Sequence, residues 1–254
     1  MLDINMIELG KTEGQSIGEI EEISSKDIAI IGMAAKLPEA NSIDEFWENM
    51  RNGLDCVKEF PDSRKQDADR YINFKYGGIN GVKYRAGAYL DEIDKFDCRF
   101  FNISPKEASL MDPNQRMFLE TAWEAIEDSG YGSKGIEGSE TGVYLGYVSG
   151  LEYKQFVSEV EPSSAMASIP GNIAAIIAGR VSYMLDLRGP SIIVDTACSS
   201  SLVAVHMACM GLRNGDCEMA IAGSVKLSLL PLHTGEKFGI ESEDGRTRAF
   251  DDSS

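Results

Sequence analysis

SIIVDTACSSSLVAVHMACMGLRNGD, residues 191–216, changes its period partway along. Residues 191–196, SIIVDT, read as a buried strand around Ile192, Ile193 and Val194, the pattern of a parallel sheet. From Ser199 to Arg213 the pattern is helical, with Leu202, Val205, Cys209 and Leu212 on one stripe. Thr196-Ala197-Cys198-Ser199-Ser200-Ser201 joins the two, so Cys198 is expected where a strand hands over to a helix. There a sulfur meets the partial positive charge and free N–H groups of a first helical turn, the setting that favours a nucleophilic thiolate. The small flanking residues leave room for a substrate, and the backbone N–H of Cys198 is a candidate oxyanion donor. The same residues also fit a buried structural cysteine, and a catalytic role needs a base besides.

Outward from this junction, strands and helices alternate. IAIIGMAA (28–35) reads as a buried parallel strand. A helix follows, with Ser42 as N-cap, Glu45 three residues on, apolar Phe46, Trp47 and Met50, and Asn52-Gly53 as its stop. Residues 56–90 show no sustained period and are expected to form an irregular insertion or lid. A second helix starts at Asp112-Pro113 and ends at Ser129-Gly130. GVYLGY (142–147) reads as a strand, a polar loop follows, and Gly171 to Leu185 is a helix broken by Arg188-Gly189-Pro190. MAIAGSVKL (219–227) is another strand. This order predicts an α/β fold, a mainly parallel sheet covered by helices on both faces.

The chain has 254 residues, and its 24 Lys and Arg against 41 Asp and Glu give a net charge of −17. That length supports a large core without disulfides or a structural metal. The acidity excludes nucleic acid and anionic membrane surfaces as partners, since both would repel it. Five cysteines without a CxxC suggest neither a disulfide framework nor a zinc site, and point to a reducing compartment. Two histidines, His206 and His233, leave the chain short of the commonest metal ligand and general base. With no signal-like start and no apolar run of 18 residues, a soluble cytoplasmic protein is expected. Residues 1–26 are acidic and read as a leader or linker. Within them Ser16 to Glu19 has capping-box spacing ahead of Ile20 and Ile23, so a short docking helix and a solvated leader both remain open.

DTACSSSL at 195–202 resembles the active-site signature of the β-ketoacyl synthase (ketosynthase) domains of modular polyketide synthases. Further matching blocks follow in family order: DIAIIGMAAKLPEA (27–40), FNISPKEASLMDPNQRMFLETAWEAIEDSG (101–130), GNIAAIIAGRVSYMLDLRGPSIIVDTACSSSLVAVHMA (171–208) and EDGRTRAFDDSS (243–254). The resemblance spans residues 27–254 and implies the first, nucleophile-bearing half of a thiolase-like fold. It implies that Cys198 takes an acyl chain from the phosphopantetheine thioester of an acyl carrier protein. A malonyl-type extender is then decarboxylated and its carbanion attacks the acyl-cysteine. No bound cofactor and no metal are implied, and the assembly is expected to be a dimer that pairs through Ser191 to Thr196.

The family's two histidines lie in an HGTGT-like and a GH-containing motif, which neither His206 nor His233 matches. Cys56, Cys98, Cys209 and Cys217 match no functional position and are expected to pack. The chain ends inside what is normally a continuous motif, so the expectation is that another polypeptide carries the C-terminal half and both histidines. Gly179, Ser224 and Lys226 depart from the family's usual residues. Two other readings stand beside the condensing enzyme: a noncatalytic subunit like a chain-length factor, against which the retained Cys198 speaks, and a subunit limited to transacylation.

Overall fold

A computed structural model describes residues 27–78, 82–148, 150–232 and 252. The leader (1–26), His233 and, apart from Asp252, the terminal block 243–254 lie outside the described residues. In chain order the helices are α1 (Ile43–Arg51), α2 (Asp62–Tyr76), α3 (Pro105–Leu110), α4 (Pro113–Asp128), α5 (Gly132–Ile136), α6 (Glu152–Val160), α7 (Ala174–Met184) and α8 (Ser200–Asn214). The strands are β1 (Thr141–Gly146), β2 (Ser191–Val194) and β3 (Met219–Ser224). They pair in the order β2-β1-β3, and both ladders are parallel, as the strand-helix alternation predicts.

β1 is buried along its whole length because it has a neighbour on each edge and helices on each face. Its alternate residues divide the core in two. Val143 and Leu145, fully buried, pack with Phe118, Ala122 and Ile126 of α4 and Ile177, Ala178 and Val181 of α7. Tyr144 points the other way, into Val194, Ala204, Ala208 and Cys217 beneath α8. Burying each such aliphatic side chain stabilises the fold by about 1.5–3 kcal/mol. Close approach of α8 depends on glycine: a Cβ on Gly146 would lie 2.6 Å from the backbone carbonyl carbon of Ser200, and one on Gly211 only 2.2 Å from the Tyr144 hydroxyl.

The helix signals hold where they were local. Ser42 Oγ accepts from the Glu45 N–H to start α1, and the Asp112 carboxylate accepts from the Asn114 N–H to start α4, with Pro113 in the first turn. Gly130, at φ +79°, follows the end of α4. Among the described residues no helix is long and apolar enough to cross a membrane.

Three expectations are corrected. Residues 28–35 join no strand ladder; they lie along α4, where Gly32 makes an approach that a Cβ would close to 2.3 Å from Ala125 O. The Met33 N–H donates to Asp128, and Lys36 pairs with Glu124 at 2.9 Å. A cleft of about 340 Å³ separates residues 34–38 from the outer edge of β3, with Phe118, Ala122 and Ala125 of α4 along its wall. A strand needs a hydrogen-bonding neighbour, and among the described residues none pairs with this segment. Ile30, Ile31 and Met33 accordingly stand 79%, 51% and 55% exposed.

The second correction is that residues 56–90 contain the fifteen-residue helix α2. Only Ala68 and Ile72 of α2 are buried, so it lacks an apolar stripe to read. The third is α6, which occupies part of the stretch expected to be a polar loop. The two helices meet through polar groups: the Tyr71 hydroxyl donates to Glu159 at 2.6 Å and Lys75 pairs with Glu159 at 2.9 Å. Arg64 of α2 stacks over Phe60 and donates to the carbonyls of Leu90 and Leu229, which ties residues 56–90 to the loop after β3.

Candidate active site

β2 ends at Val194, α8 begins at Ser200, and between them Ala197–Ser199 form one 3-10 turn. Cys198 therefore sits at the top of the turn, just ahead of the helix rather than within its first residues. It is exposed, whereas Cys217 is buried and Cys56, Cys98 and Cys209 are half-buried. Exposure at the strand-to-helix junction is the opposite of what a structural cysteine requires.

The turn is held by a compact set of hydrogen bonds. Ala197, directly before Cys198, has φ +54°, a left-handed conformation that costs a residue with a side chain about 1–3 kcal/mol. Its N–H donates to the Asp195 carboxylate at 3.2 Å. Ser200 Oγ accepts from the Thr196 N–H at 2.9 Å and donates to the Ala197 carbonyl at 2.7 Å. Ser199 Oγ donates to the Thr196 carbonyl at 2.8 Å.

Among the described residues no histidine joins the site. His206 is exposed two turns further along α8. No group of three or more potential metal ligands is found among the described residues. Cys217 lies under α8 with its sulfur 3.8 Å from the Tyr144 hydroxyl, and burial together with that contact pushes the phenol up to about 12. This cysteine packs, as expected from its sequence context.

The structure adds three residues to the site that periodicity does not reveal: Ala197, Ser200 and Gly146. Ser199, Ser200 and Ser201 read in sequence as small residues that leave space, yet Ser200 is 5% exposed and bonded on both sides of Ala197. Of the departures, Gly179 lies mid-helix in α7 with only Ser191 Oγ within 4.0 Å of where a Cβ would stand. Lys226 follows β3 in the loop whose Leu227 N–H is accepted by the Asn114 side chain at 2.8 Å.

Known proteins resemble this chain over most of its length. The family model described as the N-terminal domain of beta-ketoacyl synthase matches residues 25–254. Polyketide synthase PksM of Bacillus subtilis is 40% identical over 238 residues, 91% of this chain and 5% of that protein. Erythronolide synthase EryA3 of Saccharopolyspora erythraea is 43% identical over 241 residues, 91% of this chain and 7% of that protein. Among solved structures, the ketosynthase from module 6 of the bacillaene synthase of Bacillus subtilis superposes with a TM-score of 0.65 at 36% identity, over 80% of this chain and 32% of that one. An oxazolomycin ketosynthase domain from Streptomyces albus gives 0.66 at 37% identity, over 80% and 34%. The chain thus spans about a third of the solved structures and a small fraction of the synthases it matches.

Proposed function

The chain belongs to the β-ketoacyl synthase family, with the N-terminal domain found in polyketide synthases and a thiolase-like fold, and on that premise we propose that Cys198 is its acyl-accepting nucleophile. The observation that carries the reading is the exposure of Cys198 on a left-handed, hydrogen-bonded turn at the end of the sheet. The thiolate attacks the carbonyl carbon of an acyl thioester borne on the phosphopantetheine of a carrier protein. Negative charge collects on the carbonyl oxygen, toward which the Cys198 N–H donates. Collapse expels the phosphopantetheine thiolate, which takes a proton from water, and leaves acyl-Cys198. In the second half-reaction a malonyl-type extender loses CO2, its carbanion attacks the acyl-cysteine carbonyl, and the Cys198 thiolate departs as the carbon–carbon bond forms. A polarisable thiolate both attacks and leaves well, which this relay requires.

The histidines that assist decarboxylation belong in this proposal to the remainder of the ketosynthase fold. Support comes from surfaces left without partners: the apolar residues Ile30, Ile31 and Met33, the Trp47 and Met50 face of α1, and the cleft along β3. Dimerisation through β2 is supported by its place at the edge of the sheet and by Tyr183 and Leu202 exposed nearby on α7 and α8. With a net charge of −17, contact with acidic carriers relies on local basic residues or covalent tethering. The free cysteines fit a reducing, cytoplasmic location.

The test uses the chain together with the rest of the ketosynthase. Brief iodoacetamide treatment is expected to label Cys198 ahead of the other four cysteines. Cys198→Ala is expected to abolish acyl loading and chain extension while malonyl decarboxylation persists, each followed by the mass of enzyme and carrier. Acyl loading of the Cys198→Ala protein, or preferential labelling of Cys209 or Cys217, overturns the assignment.

A further inference from the structure

We infer that Ser200 is a positioning residue for the nucleophile, acting through the backbone of Ala197 rather than by touching substrate; the inference rests on Cys198 being the acyl acceptor. Three observations converge on it. Ala197 sits at φ +54° without being glycine, so something beyond local preference must hold it there. Ser200 Oγ supplies that restraint, accepting from the Thr196 N–H and donating to the Ala197 carbonyl, and so brackets the strained residue from both sides with one atom. Ser200 is itself immobilised. It is 5% exposed, and its backbone lies against Gly146 of β1 so closely that a Cβ there would come within 2.6 Å of its carbonyl carbon. The rigid centre strand thereby sets the height of α8, the first residue of α8 sets Ala197, and Ala197 sets the direction in which Cys198 leaves the turn.

The chemical consequence concerns rate more than affinity. The acyl carbonyl must meet the sulfur and the Cys198 N–H at the same time, and both directions follow from the torsions around Ala197. The Ser200 hydroxyl bonds to the Thr196 N–H and the Ala197 carbonyl, both within this turn, so losing it leaves carrier binding intact while misaligning attack. Misplacement of a reacting group by an ångström costs up to about a hundredfold in rate. Ser200→Ala is expected to lower the rate of Cys198 acylation by about tenfold, with the half-saturating concentration of acyl carrier nearly unchanged.

The experiment measures acyl loading of the assembled ketosynthase by intact mass, for wild type, Ser200→Ala and Ser200→Thr, with the pH profile of Cys198 alkylation alongside. The hydroxyl retained in Ser200→Thr is expected to return loading to within a few-fold of wild type, whereas a defect from packing alone would be as severe or worse with the larger side chain. A second measurement needs no variant: hydrogen exchange of the wild-type protein should find the Thr196 amide protected. Equal loading by wild type and Ser200→Ala overturns the inference, as does fast exchange at Thr196. If wild type itself loads no acyl group on Cys198, it is the nucleophile assignment that has failed, and the two outcomes are distinct.

Discussion

The sheet and the segment at 28–54 are built from the same kinds of residue and end in opposite states. Val143 and Leu145 of β1 are fully buried between α4 and α7. Ile30, Ile31 and Met33 are just as apolar and are more than half exposed, and α1, with Trp47 59% and Met50 60% exposed, buries no residue at all. Burial follows from neighbours, not composition: β1 has a strand on each edge, while 28–35 pairs with no strand among the described residues. An exposed apolar face this extensive marks an interaction site. The turn at Cys198 lies at the end of the buried sheet, away from this exposed segment.

The strongest way to break this contrast is a pair of truncations. Leu145→Ala should cost about 2–5 kcal/mol whether the chain is measured with or without the rest of the ketosynthase, because its cavity is internal. Ile31→Ala should shift stability by no more than about 0.5 kcal/mol in the chain by itself. In the assembled domain it should cost about 2 kcal/mol or more. Urea unfolding of both variants in both contexts provides the check, and equal costs for Ile31→Ala in the two contexts would remove the contrast.

A smaller effect sharpens it, since α2 is held by polar contacts rather than by a core. The hydrogen bond from Tyr71, reinforced by Lys75 and Gln155, lowers Glu159 to about 2 from an ordinary value of 4.5. A carboxylate depressed in the folded state stabilises the fold above its unfolded value and loses that contribution as pH falls through the folded one. Between about pH 4.5 and about pH 2 the α2–α6 contact should therefore weaken while β1 stays protected. Amide-exchange protection factors across that window test this, and Glu159→Gln should flatten the pH dependence in α2. The smallest effect lies at Gly179: the nearest atom to a new Cβ is Ser191 Oγ at 4.0 Å, so Gly179→Ala should stabilise α7 by about 0.5–1 kcal/mol, read from the urea midpoint.

What could be read in the sequence was whatever local patterning controls. The caps at Ser42 and Asp112 and the apolar residues of β1 carry their own instructions, and the junction at Cys198 was legible from the change of period around it, although the strand expected to be buried over 191–196 stops at Val194 and buries that residue alone. α2 was not, because its two buried residues leave no stripe, and its anchors, Tyr71, Lys75 and Arg64, find partners far along the chain. Residues 28–35 have the composition of a strand, but forming one depends on a neighbour that no pattern within the segment specifies. The left-handed Ala197 escaped for a related reason: periodicity describes which face a residue takes, and the torsion at 197 is set by a serine hydroxyl held against another element.

The parallel order β2-β1-β3 also governs when the turn at Cys198 can form. Val143 pairs with Ser191 and Thr141 with Met219, so neither ladder closes by a short hairpin and each waits for a long crossover. As the chain leaves the ribosome, β1 emerges first and remains without either edge until β2 and then β3 are made. Long-range pairing of this kind is slow and leaves strand edges open to mispairing. The turn beneath Cys198 needs α8 seated on Gly146, and α8 itself lies between the two late strands in the chain. The turn that presents Cys198 therefore forms only after α8 has been made and has met β1.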